Sequence, residues 1–326
     1  MPDFSPTEYA VPAFVILVMA EMLWAWRRRP ESYEARDTLT SLGMGLGSTV
    51  AGTLLGGLAI FVFFQAYEYR LFDLESTGDG GAWWMVWWAW PLCFVLDDLA
   101  YYWIHRLGHR VRWFWAAHVN HHSSQHFNLS TALRQSWTSG FTILFLLKLP
   151  LVLLGFHPVM IAICAGFNLI YQFWFHTEAI DKMPRWFEAV MNTPSHHRVH
   201  HATNPRYLDR NYAGVFIVWD RMFGTFEAER SPKEGGEKIR YGIVKQLGSF
   251  NLLWSVFHEW IGMVRDIRDA PWRHKLSYLL REPGWSHDGS RETSDMIRAS
   301  WQSREDARLP DRQTCDIIGK DAEPTA

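Results

Sequence analysis

Cysteine is scarce. The chain has three in 326 residues: Cys93 and Cys164 in apolar runs and Cys315 in a polar tail. No disulfide framework follows from them. An excess of charge of one sign is also missing. Lys and Arg number 32 against 34 Asp and Glu, a formal net charge of -2, which provides no basic surface for nucleic acid. The chain has no Gly-rich dinucleotide fingerprint, haem-attachment motif or cysteine cluster, so electrons for any redox chemistry must come from outside. No internal repeat is visible. Met1, Pro2 and Asp3 bring no positive charge before the first apolar run, which argues against a cleaved signal peptide and for a retained anchor.

What is present is apolar and aromatic. Hydrophobic residues make up 48% of the chain and 19 are tryptophan, a residue that collects at membrane–water interfaces. The mean hydropathy of -0.14 averages an apolar first two-thirds with a charged last third. Crossing a bilayer takes about 20 apolar residues. The candidate runs are residues 9–26, 41–67, 82–104, 139–156 and 158–176. The first carries Glu21 and the fourth Lys148; the last two meet at a turn, Gly155 to Pro158, and read as a hairpin. The expected fold is an all-α integral membrane bundle with four to five membrane helices. Arg27, Arg28 and Arg29 close the first run and place its end in the cytoplasm. Counting crossings from there brings the ends of the third and fifth runs to the same side.

That side holds the histidines. Twelve of 15 lie between residues 105 and 201, and eight fall into three groups: His105 and His109; His118, His121 and His122; His197, His200 and His201. Spacings of three and four place side chains on one face of a helix. Eight clustered imidazoles exceed what one metal ion needs, so the pattern suggests a two-metal centre. Neutral imidazole suits Fe, Zn, Cu and Ni, and composition does not choose among them. A multi-histidine centre at a membrane surface without cysteine ligands suits oxygen activation on a lipid. The Glu-x-x-His pairs of soluble di-iron bundles are absent. Interfacial histidines or a structural zinc site would account for one such group more readily than for three.

Asp97, Tyr101 and His105 recur every four residues, and Asp98, Tyr102, His105 and His109 share a stripe. A carboxylate at the end of a membrane span, placed to orient a ligand histidine, makes Asp98 the candidate catalytic residue. Glu178 and Asp220 are weaker candidates. Arg134 reads as a grip on a polar headgroup or a neighbouring carboxylate, or as a snorkelling interfacial side chain.

The order of the histidine groups resembles the fatty acid hydroxylase and sterol desaturase superfamily of membrane di-iron enzymes. Asp97 to Arg106 is similar to that superfamily's stretch before the first group. Within it, the flanking stretches resemble the alkylglycerol (ether-lipid) monooxygenase branch: His121 to Ser124, Asn128 to Ser136, Tyr171 to Trp174, His176 to Glu178, Asn192 to His197, Asn211 to Gly214 and Trp219 to Glu227. The resemblance covers about residues 90–230 and continues faintly to Pro283, Gly284 and Trp285. It implies iron ligation, two Fe, by His105, His109, His118, His121, His122, His197, His200 and His201, with His176 as a ninth ligand. His126 and His196 stand outside the spacing, and His157, His258, His274 and His287 read as structural or solvated. The implied activity is insertion of oxygen from O2 into a lipid C–H bond. The implied electron donor is a tetrahydropterin, or a ferredoxin or cytochrome as elsewhere in the superfamily. The alternatives are a sterol, hopanoid, carotenoid or fatty acid hydroxylase or desaturase, and a non-catalytic, zinc-stabilised lipid-binding protein.

Three regions are expected: 1–81 as N-terminal membrane helices, 82–231 as the histidine-rich core, and 232–326 as an interfacial segment and tail. In the last region Phe250 to Val264 is amphipathic, with Trp254, Phe257, Trp260 and Ile261, and reads as lying on the membrane surface. From residue 286 onward large apolar residues are few and the chain reads as disordered.

Overall fold

The computed structural model describes residues 6–74, 82–231 and 236–318, with side chains to 307. The expected region boundaries at 81 and 231 adjoin stretches outside the described residues, as do the first five residues. Every regular element among the described residues is helical, apart from isolated bridges pairing Met191 with Phe216 and Ala202 with Tyr241.

Two helices are long and apolar enough to cross a membrane, α1 (Pro6–Arg28) and α2 (Ala35–Tyr67). At 1.5 Å per residue they extend about 35 and about 50 Å. Their large apolar side chains point outward: Ile16, Met19 and Trp26 on α1, Leu46, Leu54 and Phe61 on α2 are all exposed. The charge in the first run is internal. Glu21 is buried and accepts from Tyr33 Oη (2.5 Å), Leu129 N (2.7 Å) and the Thr177 hydroxyl. The start of α2 is capped by Glu34, which accepts from Asp37 N at 2.6 Å.

Helix α3 (Ala89–Arg110) begins later than the third apolar run and continues past it, carrying His105 and His109 beyond the apolar part. It packs against α4 (Arg112–His122) and, after the short α5 (Leu129–Ala132), against α7 below. The fourth run is not a membrane-length helix. It is broken into 3-10 turns over Ser139–Thr142 and Leu144–Lys148 and the five-residue α6 (Leu149–Leu153). Pro150, which has no N–H to give, opens that last turn. Lys148 points inward and donates to the buried Asp97 at 2.6 Å. The turn into the fifth run is as expected. Gly155 sits at φ 100°, and a Cβ there would meet the Phe72 carbonyl oxygen at 2.2 Å. Helix α7 (Pro158–Trp174) follows, 17 residues or about 25 Å long, capped by His157, which also stacks on Trp83. A buried cluster including Ala89, Cys93, Val152, Phe156, Met160 and Cys164 joins α3, α6 and α7.

The remaining helices are short except two: α8 (Arg185–Val190), α9 (Pro194–His200), α10 (Val218–Met222), α11 (Leu252–Asp269), α12 (Ser277–Leu280) and α13 (Ser294–Ile318). Helix α11 buries Val256 and Met263 and exposes Leu253 and Val264. It is tied to α4 through Arg112, which reaches Glu259 and Asp266, each at 2.7 Å. The disorder expected from residue 286 does not hold for the first part of that stretch. Ser294 starts a helix that packs on the turn Pro205–Tyr207. Asp295 pairs with Arg110, Arg298 donates to the Leu208 carbonyl, and the Arg206 guanidinium lies over the Trp301 ring.

Candidate metal centre

Four pieces of backbone bring nine histidines to one end of the bundle. α3 supplies His105 and His109, α4 supplies His118, His121 and His122, and α9 with its C-cap supplies His197, His200 and His201. His176 follows the end of α7. They separate into two sets. His105, His109, His118, His122 and His200 form one, and His121, His176, His197 and His201 the other; within each set the ligand atoms lie within 4.8 Å of one another. Sequence neighbours part company. His121 and His122 join different sets, as do His200 and His201, because adjacent helical residues point about 100° apart. The i,i+4 pairs stay together. The sets touch where the His122 and His201 rings stack at 4.3 Å.

The protonation pattern follows from the outer ring nitrogens. His105 Nδ1 lies 2.7 Å from the Tyr212 carbonyl, His200 Nδ1 2.9 Å from that of Arg210, and His176 Nδ1 2.8 Å from that of Gln172. A carbonyl only accepts, so these Nδ1 atoms carry the protons and each Nε2 presents a bare lone pair inward. In the first set, Nε2 atoms stand 3.0 Å apart for His105 and His118, 3.2 Å for His118 and His122, and 3.1 Å for His122 and His200. Protons cannot satisfy all three contacts. His118 donates to His105 and His122 to His200, which leaves His118 and His122 with nothing to share. His109 Nε2 is buried with no partner at all, at a cost of about 1–3 kcal/mol. The second set repeats the pattern, with Nε2 separations of 3.2 Å (His121 and His176), 2.9 Å (His176 and His197) and 3.0 Å (His197 and His201).

A cation in each set removes the conflict, since neutral imidazoles protonated on the outer nitrogen all turn a bare Nε2 toward it. Metal–nitrogen bonds of about 2.1 Å at right angles put neighbouring ligand atoms about 3 Å apart, matching the observed separations. Burial, reinforced by the other imidazoles, holds His118, His122, His197, His200 and His201 well below the ordinary histidine range. They are neutral, the form that binds metal.

The groups behind the histidines are mostly ones the sequence did not single out. His109 Nδ1 faces Asp209 Oδ1 at 3.2 Å. Burial alone would raise the Asp209 carboxyl, but His109, Arg110 and Ser294 together bring it below the usual carboxylate range. Asp209 and Asn211 both adopt left-handed φ, 55° and 57°, which Asp and Asn tolerate better than most residues. An Asp–x–Asn loop just after a histidine group was the available signal.

Asp98 makes its bonds elsewhere. It accepts from Val215 N (2.8 Å), Phe216 N (2.9 Å), Trp219 Nε1 (2.9 Å) and Asn168 Nδ2 (2.7 Å). It therefore anchors the loop whose Tyr212 carbonyl receives His105. Gly214 permits the approach, since a Cβ there would lie 2.6 Å from Asp98 Oδ1. Asp220 grips the same loop, accepting from Tyr212 N and Ala213 N at 2.8 Å each. Arg134 is buried rather than snorkelling. It donates to Asp37 (2.9 Å), to the Asn120 carbonyl (3.1 Å) and to Ser123 (3.0 Å), bracing the end of α4. Glu178 bonds Ser32 and Tyr241. His126 and His196 stay outside both sets.

Residues 90–225 match the family model described as fatty acid hydroxylase, a span that contains all nine histidines and Asp98. This segment belongs to the fatty acid hydroxylase family. Across a longer stretch the chain is similar to alkylglycerol monooxygenases. It is 37% identical to that of Homo sapiens over 289 residues, 87% of this chain and 60% of that protein. To that of Danio rerio it is 36% identical over 288 residues, 85% of this chain and 59% of that protein. It is also 28% identical to human cholesterol 25-hydroxylase over 149 residues, 43% of this chain and 52% of that protein. The chain spans about 60% of the length of these alkylglycerol monooxygenases. No solved structure matches. The fatty acid hydroxylase segment does not enclose the histidines alone. A cavity of about 60 Å³, room for a few waters, adjoins both sets and is lined by His109, Trp115 and His200 but also by Ile243, Pro283 and Ser294.

Proposed function

We propose that this chain is a membrane oxygenase that uses O2 at a two-iron centre to hydroxylate a lipid, with an alkylglycerol ether lipid as the favoured substrate. The observation that carries the reading is the pair of buried imidazole sets with converging ring nitrogens, whose contacts protons alone do not satisfy. His105, His109, His118, His122 and His200 would hold one ion and His121, His176, His197 and His201 the other. Iron bound there supplies activation of O2 for insertion of one oxygen atom into a C–H bond. The chain's own residues keep the ligands neutral, fix their tautomers through carbonyls and Asp209, and exclude bulk water. Asp98 and Asp220 position the loop behind His105 and touch no reacting atom.

The balance per turnover is one O2, two electrons and two protons in, one hydroxyl and one water out. On an ether lipid the hydroxyl is placed on the carbon beside the ether oxygen, and the resulting hemiacetal separates into an aldehyde and a glycerol. The similarity to alkylglycerol monooxygenases over most of the chain favours this substrate over a sterol. The proposed donor is a reduced pterin, as the resemblance to the ether-lipid branch implies, with a ferredoxin or cytochrome as the alternative. Purified, iron-loaded protein is expected to cleave an alkylglycerol with O2 and a reduced pterin. Four assays, both donors against an alkylglycerol and a sterol, decide it. Turnover on a sterol alone with a protein donor gives the sterol hydroxylase reading; tightly held zinc without turnover gives the non-catalytic one.

In the membrane, α1 and α2 would anchor the chain, with α3, α7 and the broken 139–153 segment completing four to five crossings. Residues 1–81 are then the anchor, 82–231 the metal core and 232–326 an interfacial and closing region. The outward apolar faces of α1 and α2 suit contact with lipid tails. Arg29, just past α1, lies 3.9 Å from Glu178, two residues after His176, so the metal sets adjoin the basic end of α1, which argues for the cytoplasmic face. Reporter fusions after Arg134 and after Glu229 are expected to read cytoplasm. A signal from the opposite side at either position overturns this topology.

A further inference from the structure

The turn at Leu208 and Asp209, which backs His109, is gripped by a part of the chain far beyond the family segment. Asp209 Oδ2 lies 3.5 Å from Arg110 Nη1, and the Ser294 side chain also bonds its carboxylate. Arg110 Nη2 donates to Glu282 at 2.5 Å and to Asp295 at 2.6 Å. Arg298 closes the circuit, donating to both Asp295 and the Leu208 carbonyl. Pro283 and Ser294, from the same stretch, line the cavity over His109 and His200. Among the described residues, His109 is the member of the nine whose Nδ1 faces a carboxylate, where His105, His176 and His200 face carbonyls.

We propose that residues 282–298 are a strap across the solvent side of the metal centre, positioning His109 through Asp209 and Arg110 and slowing loss of the ion that His109 ligates. The inference rests on the two-iron reading above. Each ion pair in the strap is partly exposed, and single exposed pairs contribute little. The effect comes from the network, in which Arg298 and Asp295 each make two contacts. Glu282 makes one, and its loss should matter least.

The test measures iron per chain in the full-length, iron-loaded protein under anaerobic conditions, then the rate of iron loss to excess ferrous chelator. With Arg298→Ala or Asp295→Asn, one of the two irons is expected to leave about tenfold faster, the lower end of the effect of removing a partner behind a metal ligand. The other should leave at the parental rate. Arg298→Lys should fall between. Arg268→Ala, which removes an exposed pair with Asp269, should leave both rates unchanged. Parental release of both irons in Arg298→Ala and Asp295→Asn overturns the strap. So does equal acceleration of both, which would mean general loosening of the fold. A parent chain that retains no iron overturns the two-iron reading and the strap with it.

Discussion

Alanine in place of His200 or His197 is expected to lower turnover by more than about a hundredfold, beyond what loss of a partner behind a ligand does. Each should also remove one iron per chain. The two positions probe different sets, since His200 joins His105, His109, His118 and His122, while His197 joins His121, His176 and His201. Loss of either ion should therefore stop a reaction that needs both. The protein should stay folded and in the membrane, because removing His200 takes away one acceptor, that of His122 at 3.1 Å, and leaves the other histidine contacts in place. His176→Ala is the informative companion. Its Nε2 contacts both His121 and His197, so it should cost as much as a member of the three sequence groups. Iron content and oxygen uptake, measured on the same samples, check this. Substantial activity in two or more of the single variants would remove the ligand assignment.

What could be read in the sequence was the spacing. His105 with His109, and His118 with His122, announce themselves as one face of a helix. What could not be read was the division into two sets. It depends on how α4 and α9 are rotated about their axes, and that rotation is set by contacts such as Arg134 with the Asn120 carbonyl, 14 residues away and unpaired in any local pattern. Asp98 was visible as a buried carboxylate near a ligand, but its partners Val215, Phe216 and Trp219 lie more than 115 residues on. A helical stripe pointing to His105 and His109 suggested direct contact where the structure has a loop between. The broken fourth run shows a limit of hydropathy. Its composition is apolar enough to span, but Ser139, Gly140 and Pro150 interrupt the helix. The tail shows the converse. Residues 286–301 look too polar to fold by composition, yet Asp295 and Arg298 find Arg110 and Leu208 across the molecule, and composition carries no trace of such pairs.

Asp98→Asn is expected to be the most damaging change outside the histidines, and to act through position rather than chemistry. The carboxylate of Asp98 is fully buried and receives four donors. An asparagine in the same place has one acceptor oxygen, and its amide nitrogen turns a donor toward donors. Hydrogen bonds to a charged acceptor contribute about 1.5–3 kcal/mol each, so losing the two made to one oxygen should lower stability by about 3 kcal/mol or more. The loop from Asn211 to Trp219 would then shift. The Tyr212 carbonyl, 2.7 Å from His105 Nδ1, would no longer hold that ring in the tautomer that presents Nε2 to the metal. Turnover should fall about 10–100-fold, with weaker iron retention, a lower unfolding midpoint and an unchanged pH profile. Asp220→Asn should reproduce the same set of effects, because Asp220 holds Tyr212 and Ala213 from the other side. A group that transferred protons in the reaction would behave differently. Its replacement would spare iron content and stability and change the pH dependence of kcat. That outcome for Asp98→Asn, with Asp220→Asn silent, would restore Asp98 as a catalytic residue and remove the positioning role assigned to it here.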